Sequence, residues 1–278
     1  MDLLPGPGED AAVARLEALL DQPVEAVLAR GGLDAPTLTA EAQVAVALGR
    51  ALAPIDLTLA LLAQPRARVA LAVPRPGGGH ACIRPDDSTV VLRWDDEGLG
   101  AAGGFVADEV VECLDPATPM AFGIVTDPGP RSAAGATRAT VLVAGVCAGL
   151  ARGALDMAVA YARTREQFGR PIGANQAIKH LCADAATRAE AAWASVNYAS
   201  VSCAESAADA EFRVAVAARV ALDAALTNGR TNIQIHGGRG YMLEGPAAGF
   251  LLRARVLEQL LGGAARARGA LLTHDAVT

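Results

Sequence analysis

The chain has 278 residues, with 30 acidic and 24 basic side chains and a formal net charge of −6 at pH 7. Hydrophobic residues make up 52% and charged residues 19%, a composition that is typical of a globular chain and excludes a disordered one. With a negative net charge, the chain lacks the excess of basic residues that is typical of nucleic-acid-binding proteins. The five cysteines include no C-x-x-C pair for a zinc site.

The cysteine pattern and the N-terminus together predict a cytoplasmic protein. The five cysteines are scattered along the chain, as expected in a reducing compartment. The first residues lack the basic and apolar regions of a signal peptide. No run of about 18 apolar residues without charges predicts a membrane span.

Residues 1–66 are predicted to form a region of short helices. Apolar residues recur at helical spacing in two places, at Ala12, Leu16, Leu19 and Leu20 and again at Val44, Leu48 and Leu52. Thr39 is a candidate start for the second helix. Pro54 ends this helix or bends the chain into residues 55–62.

Residues 67–130 are predicted to form a small β domain. Short β-prone runs cover residues 69–73, 89–93 and 121–125. Glycine-rich and acidic segments between these runs are interpreted as turns, and His80 as an ordinary turn residue.

Two segments of this β domain have compositions found in ligand sites but lack the motifs that such sites require. Gly77 to Gly79 are not a phosphate loop, because no Gly-Lys-Ser/Thr sequence follows them. The acidic run from Asp95 to Glu97 lacks the ligand spacing of a calcium loop and is interpreted as a solvated hairpin tip.

Residues 131–278 are predicted to form an up-down bundle of four helices. Three long segments carry stripes of small apolar residues at helical spacing, and a fourth helix covers residues 247–261. The connections are short enough for antiparallel neighbours and lie near residues 169–173, 202–209 and 237–245.

The first candidate binding segment is the corner at residues 165–173. Gly169 is predicted to close the preceding helix in a left-handed conformation, and Pro171 prevents the helix from resuming. The corner offers the guanidinium of Arg165, the amide of Gln167 and the ring of Phe168. This combination suits a phosphate joined to a ring system. Taken alone, the segment is more simply interpreted as a corner between two helices with a solvated arginine.

The second candidate segment lies at residues 232–241, where a predicted helix runs into three closely spaced glycines. A dinucleotide fingerprint would require a preceding strand, so the glycines do not form one. Gly237 and Gly238 would let a bulky ligand approach the main chain beside the amide of Gln234. The alternative is a tight turn of the bundle, and His236 is interpreted as structural.

Together the two segments resemble the C-terminal domain of the acyl-CoA dehydrogenase family. Residues 161–172 are similar to the R-x-Q-F-G-x-P-I corner of that family, and residues 234–241 to its Q-x-x-G-G-x-G-Y segment. The resemblance extends from about Gly135 onward and implies an α+β, mainly α fold. Such a fold would comprise shortened N-terminal helices (1–66), a small β middle domain (67–130) and a C-terminal four-helix bundle (131–278).

The resemblance also implies FAD as cofactor. In the family, the corner and the glycine segment hold the adenine and pyrophosphate end of a flavin seated in a neighbouring chain. By position, Arg165 would pair with the pyrophosphate, and Phe168 and Gln167 would line the adenosine side. Gln234 and the main chain at Gly237 and Gly238 would form the other flank.

The same comparison implies that the catalytic base is missing. Most family members carry a glutamate just after the last bundle helix, and Gly262 occupies that position here. A minority place the base early in the first long bundle helix, and Ala139 occupies that position. Glu258 lies four residues before Gly262 and Glu244 lies beside the glycine segment, and neither matches a base position. No metal site is predicted. The β region also lacks the family's segments that contact the isoalloxazine ring and the thioester.

These implications predict a non-catalytic subunit of a hetero-oligomeric acyl-CoA dehydrogenase. A homologous partner would carry the glutamate and bind the acyl-CoA. The candidate substrates are steroid or branched acyl-CoA esters. Neither nucleic acid nor a membrane is expected as a partner. Two alternatives stay open. One is a self-contained FAD enzyme with Glu258 or Glu244 as an unusual base, and the other is a scaffold subunit that binds no flavin.

Overall fold

The computed structural model describes residues 38–63, 68–85, 90–242 and 246–261. They divide into two compact units. One unit holds the described residues up to Ala53 and those from Val143 onward, and the other runs from Pro54 to Leu142. The helix predicted at residues 12–20, and the positions Glu244 and Gly262, lie outside the described residues. The domain boundaries at residues 66 and 130 remain predictions.

Six α-helices are described, and they follow the predicted order. Their bounds are α1 Leu38–Ala51, α2 Ile55–Leu62, α3 Ala133–Thr164, α4 Gln176–Ala204, α5 Ala210–His236 and α6 Pro246–Leu260. Pro54 stands directly before α2, where a proline is tolerated because the first helical N–H groups have no partner within the helix. The predicted fold class, α+β and mainly α, is confirmed.

Five strands close into a small barrel with the order β1-β2-β5-β4-β3. Their bounds are β1 Val69–Pro74, β2 His80–Ile83, β3 Val90–Asp95, β4 Gly98–Val111 and β5 Met120–Pro128. Neighbouring strands are antiparallel except β1 and β3, which are parallel. Small side chains fill the interior, where Ala70, Ala72 and Cys82 form a buried cluster.

The interpretation of His80 as a turn residue is wrong, because His80 is the first residue of β2. Burial and the nearby Arg93 guanidinium hold the pKa of the His80 imidazole below its ordinary value, against the opposing charge of Asp95. The imidazole is therefore neutral at neutral pH.

The acidic run forms the tip of the hairpin between β3 and β4, with Asp96 and Glu97 exposed as predicted, but the interpretation of Asp95 as solvated is wrong. Asp95 is only 7% exposed, and Arg93 and Arg131 each approach its Oδ2 at 2.7 Å. Burial acts to raise the pKa of this carboxyl, but the hydrogen bonds from Arg131 and the Glu97 backbone, together with both guanidinium charges, hold it below its ordinary value. Arg131 is 36 residues away in the sequence, so local pattern gives no sign of this contact.

Helices α3 to α6 form the predicted bundle, and α1 packs against α3 through glycines. A Cβ atom on Gly149 would lie 2.0 Å from the carbonyl oxygen of Val46, and one on Gly49 would lie 2.0 Å from that of Val146. The two backbones are therefore in direct contact.

On length and composition alone α3 could also cross a membrane, but 83% of its most apolar window is buried, as in the core helix of a folded bundle.

A buried amide ties three bundle helices together. Asn228 on α5 is 1% exposed, and its Nδ2 donates to the carbonyl oxygens of Ala151 on α3 at 3.0 Å and Ala185 on α4 at 2.9 Å. Its Oδ1 accepts a hydrogen bond from Nε of Arg188 at 2.9 Å. Both functions of the buried amide are satisfied, which fixes the spacing of the three helices.

Candidate functional site

The corner after α3 is a small β-hairpin. Helix α3 ends at Thr164, and strands β6 Glu166–Gln167 and β7 Arg170–Pro171 pair in an antiparallel arrangement. The turn between them consists of Phe168 with φ 54° and Gly169 with φ 75°. Gly169 is left-handed as predicted, but the prediction that it closes the helix is wrong. Two consecutive residues with positive φ make the turn of a two-residue hairpin instead.

Phe168 is the most unusual residue of this hairpin. A phenylalanine with positive φ is strained, and its side chain is 101% exposed. The hairpin therefore holds an aromatic ring in solvent at a conformational cost. Strain of this kind persists where the surrounding structure fixes it and is common at binding sites.

The two polar side chains of the hairpin differ in their environment. Arg165 is half-buried. Its backbone N–H donates to the Tyr161 carbonyl oxygen at 2.8 Å, and its carbonyl oxygen accepts from the Ile172 N–H at 2.8 Å. These two hydrogen bonds connect the end of α3 to the hairpin. Its guanidinium forms no ion pair with any described residue. Gln167 is exposed, and its Nε2 donates to the Glu166 carbonyl at 2.7 Å.

The glycine segment caps the end of α5 and continues into a short 3-10 helix, Gly237–Tyr241. Gly237 adopts φ 60° and ψ −138°, a conformation that favours glycine. Gly240 is buried, and a Cβ atom there would lie 2.4 Å from the Ile233 carbonyl oxygen, so the fold requires glycine. Gly238 is exposed, and a Cβ atom there would meet nothing within 4 Å. The protein's own packing therefore gives no reason for glycine at position 238.

The structure brings the two segments to the same end of the bundle. The ring of Tyr161, one turn before Arg165, stacks on the ring of His236, the last residue of α5, with centroids 4.1 Å apart and planes at 22°. Both Tyr161 and Ile172 of the corner also pack against a buried cluster that includes Ile235. The two binding segments therefore lie next to each other. One contributes Arg165 and Phe168, and the other contributes Gln234 and Gly238.

This end of the bundle is cationic although the chain as a whole carries −6. Arg163 and Arg239 are exposed and, like Arg165, form no ion pair with the described residues. Sequence reasoning did not single out Arg163 or Arg239, because single arginines on a helix end or in a turn are ordinary surface residues. Unpaired guanidinium groups beside an exposed ring and open glycine backbone fit an adenosine diphosphate group.

The candidate base positions offer no proton acceptor among the described residues. Ala139 lies on α3 and is fully buried, while Gly262 and Glu244 lie outside the described residues. Glu258 on α6 accepts a hydrogen bond from Nη1 of Arg255 at 2.7 Å, and its side chain is 20% exposed.

Burial, with a further contribution from the Glu258 charge, raises the pKa of the nearby Cys147 thiol to about 12. This thiol is therefore not a nucleophile at neutral pH.

Sequence comparison finds relatives for the second half of the chain. Residues 133–271 match the family described as acyl-CoA dehydrogenase, C-terminal domain. The acyl-CoA dehydrogenase FadE34 of Mycobacterium tuberculosis is 47% identical over 133 residues, which are 46% of this chain and 18% of that protein. An acyl-CoA dehydrogenase of Bacillus subtilis is 42% identical over 123 residues, 42% of this chain and 30% of that protein. The match thus spans less than a third of either relative.

Structural comparison extends the likeness to nearly the whole chain. A chain of the ChsE4-ChsE5 complex from Mycobacterium tuberculosis superposes with a TM-score of 0.68 at 20% identity, covering 98% of this chain and 97% of that one. Butyryl-CoA dehydrogenase from Megasphaera elsdenii gives 0.69 at 17% identity, covering 95% and 88%. A variant of the Tcur3481-Tcur3483 steroid ACAD gives 0.65 at 23% identity, covering 95% and 86%. At these identities the likeness establishes the fold.

Proposed function

Because the chain belongs to the acyl-CoA dehydrogenase family through its C-terminal domain, we propose that it is the base-lacking subunit of a hetero-oligomeric, FAD-dependent acyl-CoA dehydrogenase. The observation that carries the proposal is the contrast between two parts of the chain. The bundle end has exposed groups suited to a dinucleotide tail, while Ala139 and Gly262 occupy the positions where a family member would carry its base.

In this proposal the chain binds the adenosine diphosphate end of a flavin that is seated in a partner subunit. Arg165 would pair with the pyrophosphate, and Phe168 and Gln167 would cover the adenosine side. Gln234 and the main chain at Gly237 and Gly238 would hold the opposite flank. When bound, FAD supplies the hydride acceptor for oxidation of the Cα–Cβ bond of an acyl-CoA.

The partner would be a homologous subunit that carries the catalytic glutamate and binds the acyl-CoA. Removal of the α-proton depends on such a positioned base, whose presence is worth about a hundredfold to ten-thousandfold in rate. Two solved neighbours support a heteromer, since one is a complex of ChsE4 with ChsE5 and the other, a Tcur3481-Tcur3483 pair, is named as a steroid ACAD. We extend the proposal to a steroid or branched acyl-CoA substrate and to a cytoplasmic location.

The alternative of a self-contained enzyme requires Glu258 to act as base. Glu258 already accepts a hydrogen bond from Arg255 on its own helix. It also precedes position 262 by four residues, and four residues of an ideal α-helix span about 6 Å. A displacement of that size is large where about 1 Å can cost a hundredfold in rate. A scaffold without flavin would leave the exposed ring of Phe168 and the open backbone at Gly238 without a role.

Replacing Gly238 with alanine tests the proposed contact. We expect the melting temperature of the chain to stay unchanged, because the new Cβ atom meets no protein atom within 4 Å. The affinity of the co-expressed complex for FAD should fall about tenfold, because the methyl group would overpack the ligand contact. Gly240→Ala is the contrasting variant and should lower the melting temperature. Unchanged FAD affinity in a folded Gly238→Ala complex would argue against a ligand at this backbone.

A further inference from the structure

A cleft of about 490 Å³ lies between helices α1, α3 and α4. All of its lining residues belong to the same compact unit. The apolar part of the lining consists of small side chains and one aromatic ring, namely Val46, Ala47, Ala148, Ala189 and Trp193. Trp193 is 43% exposed, so part of its ring is accessible to a ligand. Clefts that bind small molecules have volumes of about 300–1000 Å³, and this cleft falls within that range.

Two arginines that line this cleft are held by one carboxylate. Nε of Arg50 on α1 donates to Oδ2 of Asp156 at 2.8 Å, and Nε of Arg152 on α3 donates to Oδ1 of the same residue at 3.3 Å. Neither arginine uses its Nη groups in a hydrogen bond to a described residue. Asp156 therefore orients both guanidinium groups through their Nε atoms, and the Nη groups remain available as donors to a ligand.

The charges around the cleft favour one further anionic group. Both oxygens of Asp156 already accept a hydrogen bond. The remaining charge of the lining is Glu190 on α4, whose Oε2 lies 3.8 Å from Nη1 of Arg152, beyond hydrogen-bond distance. The Glu190 side chain is 65% exposed, so water screens its attraction for Arg152. A ligand carboxylate or phosphate at hydrogen-bond distance from the Nη groups would make a stronger contact than this loose ion pair.

The cleft is separate from the proposed flavin site. Arg152 is 12 residues before Thr164, the last residue of α3. Twelve residues of an α-helix span about 18 Å, and the hairpin with Arg165 follows only after that distance. No lining residue of the cleft belongs to either of the two binding segments.

We propose that this cleft is a second binding site, which takes an amphipathic anion. The ligand has a flat apolar body that packs against Trp193 and the neighbouring alanines. Its carboxylate or phosphate accepts hydrogen bonds from the Nη groups of Arg50 and Arg152. Small aromatic or polycyclic acids and phosphate esters have this chemistry. The inference goes beyond the proposed function, because it requires neither FAD nor a partner subunit.

Titration calorimetry of the full chain tests the site with three probes that share a naphthalene ring. Naphthoate and naphthyl phosphate carry an anionic group, and naphthamide lacks the charge. Both anions should bind about tenfold more tightly than the amide, because a hydrogen bond to a charged group contributes more than one between neutral groups. The tighter of the two anions identifies whether the site prefers a carboxylate or a phosphate.

Three variants assign the binding to this cleft. Arg152→Gln removes one guanidinium but keeps a polar side chain, and it should weaken naphthoate binding about tenfold. Ala47→Leu places a larger side chain on the half-buried lining and should weaken the binding of all three probes. Arg219→Gln is the matched control and should bind like the wild type, because Arg219 pairs with Asp223 on α5 in the same i,i+4 arrangement as Arg152 with Asp156.

Equal binding of naphthoate and naphthamide, or no binding of either anion, would overturn the proposal. So would wild-type naphthoate affinity in both Arg152→Gln and Ala47→Leu, provided that their melting temperatures show folded chains, because the probe would then bind elsewhere. Arg165→Ala should leave naphthoate binding unchanged. If Arg165→Ala abolishes it, the probe occupies the proposed flavin site, and a separate site in the cleft is refuted.

Discussion

Replacing Arg165 with alanine should lower the affinity of the heteromeric complex for FAD by about tenfold to a hundredfold. The guanidinium is half-buried beside the hairpin and has no ion-pair partner among the described residues. A hydrogen bond between charged groups contributes about 1.5–3 kcal/mol, which sets the expected size of the effect. The measurement is a titration of the flavin-free complex with FAD, followed by flavin fluorescence.

Arg219→Ala is the matched control for this experiment. Arg219 also lies on a bundle helix, where its Nη2 pairs with Asp223 at 2.9 Å, and it is 17 residues before the end of α5. That separation is about 25 Å along the helix axis, too far for contact with the same ligand. Equal losses in Arg165→Ala and Arg219→Ala would indicate a general effect of charge or stability instead of a pyrophosphate contact.

Replacing Gly149 with alanine should destabilise the chain by about 1–3 kcal/mol, the second large effect. Inside an exposed helix this substitution would stabilise by about 1 kcal/mol. Here the sign reverses, because the Cβ atom would lie 2.0 Å from the Val46 carbonyl oxygen and 2.7 Å from the Arg50 nitrogen. Helices α1 and α3 would have to separate, and the packing along their shared glycines would be lost.

Gly135→Ala provides the control on the same helix. The Cβ atom there would meet the Ser132 side chain at 3.4 Å, an ordinary van der Waals distance. Denaturant unfolding of both variants should show a lower midpoint for Gly149→Ala and little change for Gly135→Ala. A stability gain in Gly149→Ala would show that α1 and α3 are not in backbone contact.

The helical part of the fold could be predicted because its pattern is local. Small apolar residues recur at helical spacing through α3, α4 and α5, and short polar connections separate them. In the barrel the same approach identified β1, β3 and β5 and missed the other two strands. Strand β4 begins Gly98-Leu99-Gly100, a composition that resembles a loop, and it becomes a strand because β3 and β5 pair with it on both sides.

The binding segments could be located from sequence, but their geometry could not. Gly169 signals a left-handed residue, yet only the pairing of Gln167 with Arg170 shows that it serves a hairpin and that Phe168 shares the turn. The contact between Tyr161 and His236 joins residues 75 positions apart, which no local pattern reveals. The burial of Asp95 was missed for the same reason, since its partner Arg131 is remote in the sequence.

The flavin content of the chain purified alone, compared with that of its complex, tests the central claim most directly. Absorbance in the flavin band should be negligible for the chain alone. The complex with the glutamate-bearing partner should be yellow, and its band should be bleached on addition of acyl-CoA in the absence of oxygen. A chain that purifies alone with bound FAD, and whose flavin is reduced by acyl-CoA without any partner, would contradict the account.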